Sequence, residues 1–275
     1  MRTRPRLAWI SLPLMLLVAA TAATEVRVPG VGDEVLAGEP LYSQNKEELI
    51  VRHFFGDRRD GVYLDVGAFH WRRWSTTYYL EEHLGWSGVA VDALPEVAEG
   101  WRRNRPGAQF FQYIVTDHSG SIETLYGAGG LSSIHEDHLE SYAGEKIETQ
   151  RFQVPTITLD ELLELAGVEH IDFLSMDIEQ AEPLALAGFD IERFRPALVC
   201  IEATESIRKE IAAYFARHGY ERIDAYLEWD TVNWYYTPRD ADGSAPLTWG
   251  VPLVAAAVVL MVVGGVWVRR QQRHG

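Results

Sequence analysis

Val62-Tyr-Leu-Asp-Val-Gly-Ala-Phe-His-Trp71 is an apolar run that carries one acid, Asp65, and breaks at Gly67-Ala68. A buried parallel strand ends this way when its backbone must come close to a bound nucleotide. Gly88-Val-Ala-Val-Asp92 follows, and it too is apolar and ends in an acid. Two successive strands tipped with carboxylates point to a nucleoside pocket. The dinucleotide fingerprint Gly-x-Gly-x-x-Gly is absent, because Gly67 is followed by Ala68, Phe69, His70, Trp71 and Arg72. A nicotinamide or flavin enzyme therefore loses its main support.

Outward from this stretch the chain alternates helices and strands. The pattern predicts a helix over 43–55 stopped by Gly56, a strand over 62–66 and a helix over 75–84. A strand over 89–92, a helix over 95–103 that tolerates Pro95 near its start, and a strand over 109–115 follow. Thr158 and Glu161 read as a capping box opening a helix that Gly167 closes. Strands over 171–176 and 197–201, a helix over 207–215 and an antiparallel pair over 220–226 and 231–236 complete the order. Such alternation predicts a mostly parallel sheet covered on both faces, with ligands beyond the carboxyl ends of its strands. The stretch from Asp117 to Pro155, with Gly127-Ala-Gly-Gly130, reads as a long insert holding a strand or two and serving as a lid.

The 275 residues suit one domain with extensions. Three arginines (Arg2, Arg4, Arg6) open the chain and three (Arg269, Arg270, Arg273) close it. Setting these six aside leaves 19 basic against 40 acidic groups, or −21, on the stretch between. That surface repels phosphate backbones, which excludes nucleic acid as a partner. The lone cysteine, Cys200, lies in an apolar run and reads as a core residue rather than a nucleophile. Leu7 to Ala23 is uncharged and follows a basic start, the layout of a signal peptide or an N-terminal anchor. Trp249 to Val268 is long and apolar enough to cross a bilayer, has tryptophans near both ends and is followed by Arg269-Arg270. The expected organisation is an N-terminal hydrophobic segment over 1–24, a linker over 25–41 and an α/β domain over 42–237. A linker over 238–247, a transmembrane helix over 248–268 and a basic tail over 269–275 follow. The expected location is the membrane. The positive-inside rule places the domain outside, whereas the supply of a nucleoside cofactor places it in the cytoplasm.

The site candidates stand at strand ends. Gly67 reads as the close-approach glycine or as an ordinary turn. Asp92 is placed to accept from ribose hydroxyls, or to start the helix at Pro95. Asp117 is placed for an adenine amino group, or for the turn His118-Ser119-Gly120. Asp177, Glu179, Glu182 and Glu202 converge on one edge. They suit a cationic centre, a divalent metal or a substrate proton, or else favour a helix N-terminus. No metal is assigned. His135-Glu-Asp-His138 has helical ligand spacing but lacks a third ligand, and reads as a solvated face.

Ser43-Gln44, Tyr63-Leu-Asp-Val-Gly-Ala68, Asp92, Val115-Thr-Asp117 and Thr158-Leu-Asp160 form an ordered series. It continues with Ile171-Asp-Phe-Leu-Ser-Met-Asp-Ile-Glu179 and Pro183-Leu-Ala-Leu-Ala-Gly188. In this order and spacing, from about Tyr42 to Glu202, the chain resembles the FkbM family of S-adenosylmethionine-dependent methyltransferases. The resemblance implies the class I methyltransferase fold, a Rossmann-like, doubly wound, mostly parallel sheet of seven strands with one reversed. It implies S-adenosylmethionine as cofactor and O-methylation of a hydroxyl or carboxyl. By position, Asp65, Gly67 and Ala68 match the cofactor loop, Asp92 the ribose acid, Asp117 the adenine-side acid, and Asp177 and Glu179 the acidic motif near the methyl donor. Glu202 joins Asp177 as a candidate proton acceptor. Two departures stand out: Phe69-His70-Trp71 replaces a small polar pair, and Gln180 stands where the family has Gly.

The expected reaction is methyl transfer to a small-molecule, sugar or lipid-linked acceptor. Proximity and alignment supply most of the rate, and Asp177 or Glu202 receives the proton, with His70 as a third candidate. The rival expectation is a methyltransferase fold without catalysis, displayed on the membrane as a binding module.

Overall fold

The computed structural model describes residues 41–136 and 149–239. Within it, strands β1 (Val62–Val66), β2 (Ser87–Asp92) and β3 (Ala108–Gln112) run parallel, joined by helices α1 (Glu47–Phe55) before β1, α2 (Tyr78–Leu84) and α3 (Ala98–Asn104). A short β4 (Ile114–Val115), then β5 (Ile122–Gly127) and β6 (Gln150–Ile157), make a second sheet in the order β4-β6-β5. The chain returns through α4 (Leu159–Ala166), β7 (Phe173–Met176), α5 (Glu182–Ala187), α6 (Ile191–Phe194), β8 (Leu198–Glu202) and α7 (Arg208–Arg217). It ends in β9 (Tyr220–Arg222) and β10 (Asn233–Pro238). The main sheet has the order β3-β2-β1-β7-β8-β10-β9. β10 is antiparallel to both neighbours, so it is the reversed strand that the resemblance implied.

Side-chain alternation along the strands divides the core between the two faces of this sheet. Leu64, Val66, Leu174, Met176, Val199 and Ile201 pack on one face against α4 to α7, through Leu162, Leu163, Leu186, Phe194, Ile211 and Phe215. Tyr63, Phe173, Leu198 and Cys200 point to the other face, against Ile50, Phe54 and Leu80 of α1 and α2. Cys200 is buried there, as read from its apolar run. Asp65 and Ser175 are in register with each other, and Ser175 with Cys200, so all three share the α1–α2 face. That alternation decides where the site opens.

Several expected boundaries shift for local reasons. The strand expected over 109–115 divides at Tyr113, and its last two residues leave the main sheet to pair with β6. The insert holds two strands, β5 and β6, paired antiparallel. Thr158 caps α4 by accepting from Glu161 N at 3.2 Å. The capping box is only half formed, because the Thr158 N–H donates to Ser119 Oγ, 2.9 Å away. The helix expected from Ser75 begins at Tyr78, because Ser75 and Thr77 bind the Arg105 guanidinium instead. Among the described residues no helix is long and apolar enough to cross a membrane. The N-terminal hydrophobic segment, the stretch from Trp249 to Val268 and His138 lie outside the described residues.

Arg105, 2% exposed, is the buried tie of this region. Its Nε donates to Glu81 Oε2 at 2.7 Å. Nη1 donates to Trp71 O at 2.9 Å and Ser75 Oγ at 3.2 Å. Nη2 donates to Tyr63 Oη at 3.0 Å and Thr77 Oγ1 at 3.1 Å. The guanidinium also lies 4.4 Å from the Trp101 ring centroid. Arg105→Ala leaves the Glu81 carboxylate without its cation and is expected to cost about 3–5 kcal/mol in urea unfolding. Arg105→Lys keeps the charge but loses the planar fork, and is expected to recover less than half of that. A lysine variant of wild-type stability would contradict the fork geometry as the source.

Candidate functional site

The carboxyl ends of β1, β2 and β7 meet at one point, and Gly67 makes the meeting possible. The Gly67 and Ala68 N–H groups both donate to Val91 O, at 3.0 and 3.1 Å, and Asp177 N donates to Val66 O at 3.0 Å. Gly67 has φ +82, and a Cβ there would lie 1.7 Å from the Asp177 carbonyl oxygen. Glycine is thus required by the contact between two strand ends, before any ligand is considered. Ala68 is buried beside it.

Two cavities flank this junction. The first is walled by Gly67, Phe69, Asp92, Leu94, Ile114, Val115, Ile178 and Glu179, and closed by Leu125 and Gly129 to Ile134 of the insert. The insert therefore covers this cleft, as expected of a lid. Asp92 Oδ2 accepts from Phe69 N at 2.7 Å and Oδ1 from Leu94 N at 2.8 Å. Each oxygen keeps a lone pair for another donor. Burial raises the Asp92 pKa to about 6, against the two backbone bonds that lower it. The donor set fits the nucleoside the sequence leads one to expect. A carboxylate stands ready for ribose hydroxyls, aliphatic side chains suit a flat base, and acids lie where a sulfonium would come. The free volume is about 60 Å³, below the 300 Å³ or so of a typical ligand pocket. Phe69 or the insert must move aside to admit a nucleoside.

The second cavity lies on the α1–α2 face and is lined by Asp65, Ala68, Trp74, Ser175, Asp177 and Asn233, among others. Asp65 is buried and accepts from Thr77 Oγ1 at 2.6 Å, which ties it to the Arg105 network. Burial raises its pKa, against Thr77 and Arg105. Glu47 also lines this space, and Asn233 Nδ2 donates to Glu47 Oε1 at 3.1 Å and Asp230 Oδ2 at 2.9 Å. Glu47, Gln44 and Asn233 were not read as site residues. Their only sequence signal is the Ser43-Gln44 pair of the resemblance.

Asp177 lines both cavities. One carboxylate oxygen each from Asp177, Glu182 and Glu202 falls within 4.8 Å of the others, a set able to hold a cation or share a proton. Burial, then Glu202, Glu179 and Glu182, push the Asp177 pKa well up. Asp177 is exposed to the cleft, so we attribute its elevation more to the converging acids than to lost water. Glu182 is fully buried, with Oε1 accepting from Ile178 N at 2.8 Å. Its pKa is raised to about 8 by burial first and Glu202 next. Burial lifts Glu179 to about 7. Glu179 and Gln180 have φ +53 and +74, left-handed backbone that explains the glycine the resemblance expects at position 180.

The structure brings together Asp65, Gly67, Ala68, Asp92, Asp177, Glu179 and Glu202 around the junction. Asp117 is not brought there. It is exposed, and its carboxylate faces His118 Nδ1 at 2.7 Å, a pair that holds its pKa down.

A family model described as the methyltransferase FkbM domain matches residues 65–222. No curated protein matches the sequence. Among solved structures the chain is similar to a TehB-like SAM-dependent methyltransferase from Corynebacterium glutamicum, at 13% identity over 76% of this chain and 94% of that one, TM-score 0.41. It is similar to the methyltransferase FkbM from Methylobacillus flagellatus, at 9% identity over 74% and 57%, TM-score 0.35. It is also similar to Aeropyrum pernix fibrillarin with natively bound S-adenosyl-L-methionine, at 14% identity over 70% and 75%, TM-score 0.38.

The raised acids make a signed prediction. The folded state holds protons on Asp92, Glu179 and Glu182 up to about 6, 7 and 8. Their contribution to stability is full below the unfolded carboxylate range and is lost as pH rises through those values. Tm without ligand is expected to fall between about pH 5 and pH 8.5, and Glu182→Gln to flatten the upper part of that fall. A Tm that climbs steadily over this range would contradict the assignment.

Proposed function

Since the chain belongs to the FkbM family of S-adenosylmethionine-dependent methyltransferases, we propose that it transfers a methyl group to an oxygen, using the junction of the two cavities. The acceptor in this reading is a hydroxyl or carboxyl of a small molecule, a sugar or a lipid-linked substrate. One observation carries it: Asp177 lines both spaces, with the nucleoside-type cleft on one side and the polar cavity on the other. A donor and an acceptor seated there would meet at a carboxylate.

When bound, S-adenosylmethionine supplies a methyl group on a positively charged sulfur. Asp92 would hold the ribose, and Gly67 and Ala68 would let the backbone pass close beneath it. Asp177 and Glu179 would place negative charge near the sulfonium. An acceptor oxygen held beside Asp177 would be placed to take that methyl group, with the carbon–sulfur electron pair left on the departing sulfur. The proton of a hydroxyl acceptor passes to Asp177 or Glu202. Burial and the neighbouring acids raise the Asp177 pKa, which strengthens it as a proton acceptor. Asp65 belongs to this reading as a positioning residue, because Thr77 links it to Arg105. Asp117 is left without a part, since its carboxylate is turned to His118.

The reading includes attachment to the membrane through 248–268, with an uncleaved or cleaved segment over 1–24. What supports it is the length and flanking charge of those stretches. A membrane-tethered enzyme has ready access to lipid-linked acceptors. Alkaline wash of membranes should leave the full chain in the pellet and release a chain over 25–247. Release of both would remove the anchor from the proposal.

Calorimetry tests the donor site. The full chain is expected to bind S-adenosylmethionine, and Asp92→Asn to bind it at least about tenfold more weakly with Tm nearly unchanged. The asparagine keeps an acceptor for one backbone N–H, which alanine would not. Equal affinity in the variant would reject Asp92 as the ribose acid.

A further inference from the structure

A larger cleft, of about 560 Å³, opens beside the Asp65–Asp177 cavity. Gln44 and Trp74 line both, so the two spaces meet at those side chains. Leu41 and Tyr42 form one side of this cleft, and the loop from His70 to Trp74 forms the other. The domain is strongly acidic, yet this wall carries two consecutive arginines. Neither Arg72 nor Arg73 has a carboxylate partner among the described residues. Both guanidiniums lie over aromatic rings instead. Arg72 lies 5.3 Å from the Tyr42 centroid and 5.6 Å from that of Tyr78, and Arg73 lies 4.4 Å from that of Trp74. A guanidinium attracted to a ring keeps N–H donors for an oxyanion.

The loop is held in place, as a binding wall must be. His70 Nδ1 accepts from Arg72 N at 3.1 Å and Arg73 N at 3.0 Å. Trp71 O accepts from Arg105. Phe69 and Trp74, near the two ends, have φ +39 and +63, and left-handed backbone persists in bulky residues only where its surroundings over-determine it. Because Nδ1 is an acceptor, the ring proton of His70 sits on Nε2, which makes it a third donor on the same wall. Trp74, 48% exposed, presents its indole at the cleft. Tyr42, Trp71 and Trp74 provide the apolar area on which a sugar ring packs.

We propose that this cleft is the acceptor subsite and that the acceptor carries an anionic group, phosphate or carboxylate, beside a sugar ring. Arg72 and Arg73 hold the anion, the aromatic side chains hold the ring, and a ring hydroxyl reaches Asp177 past Gln44 and Trp74. The proposal rests on the methyltransferase reading and adds to it the charge of the acceptor. It gives Phe69-His70-Trp71 a use: the bulky residues that replace small ones at the donor loop begin the acceptor wall.

The test uses the full chain in neutral detergent, with glucose 1-phosphate, glucuronate and glucose as probes, followed by calorimetry and tryptophan fluorescence. At least one of the two anions is expected to bind about tenfold or more tightly than glucose, and to weaken with added salt. The double variant Arg72→Gln, Arg73→Gln is expected to lose that tenfold while binding S-adenosylmethionine like the wild type. The stronger of the two anions identifies phosphate or carboxylate as the group recognised. The proposal fails if glucose binds as well as both anions, or if the double variant binds them undiminished. It also fails if neither anion binds up to about 10 mM. Loss of S-adenosylmethionine binding by the wild-type chain would instead sink the methyltransferase reading, so the two failures are distinguishable.

Discussion

The buried Arg105 guanidinium is the constraint from which the site takes its shape. It collects a strand residue (Tyr63), a helix acid (Glu81), two hydroxyls before that helix (Ser75, Thr77) and the carbonyl of Trp71. A cation out of water is tolerable only when nearly all its donors are used, and here Nε, Nη1 and Nη2 all donate. The consequence for function is indirect and extensive. Thr77, held by Arg105, donates to Asp65, so the acid on β1 is fixed in direction. Trp71, held by its carbonyl, fixes the middle of the arginine wall. The start of α2 is delayed to Tyr78 because the residues before it spend their hydroxyls on the guanidinium.

Opposite this cation, the strand ends gather acids. Parallel strands bring their carboxyl ends to one edge, so every acid that terminates a strand is carried to the same place. Asp92 on β2, Asp177 after β7 and Glu202 on β8 are there for that reason. Burial there lifts the pKa values of Asp92, Glu179 and Glu182 to about 6, 7 and 8, and Glu202 adds to the lift at Glu182. The left-handed Glu179 and Gln180 add backbone strain at the same turn. That turn rests on the two-sided core beneath it.

The main sheet was legible in the sequence because its strands are short, apolar and closed by turn residues. β1 spans 62–66 as read, and the reversed β10 stands where the final pair was expected. That Asp65, Gly67, Asp92 and Asp177 lie close together was legible because parallel topology brings the carboxyl ends of neighbouring strands to one edge. Arg105 left no such trace. It sits in an exposed-looking Arg-Asn-Arg-Pro stretch, and its partners lie as many as 42 positions away. Asn233 and Glu47 were hidden for the same reason, being 186 residues apart. Asp117 shows the opposite failure. Its position after a strand is right, but the strand breaks at Tyr113 and β4 leaves the main sheet, which carries Asp117 to the surface.

The two departures from the family pattern have different physical meanings. Gln180 keeps the backbone that glycine would adopt and bears the strain of a side chain there, so it alters the cost of the turn without altering its path. The run from Phe69 to Trp74 alters the surface itself. Phe69 lines the cleft beside Asp92, its N–H bound to that carboxylate, while its carbonyl accepts from Trp101 Nε1 at 2.9 Å. From that anchored residue the chain turns away to place His70 to Trp74 around the neighbouring cleft. One six-residue segment therefore contributes to the walls of both clefts.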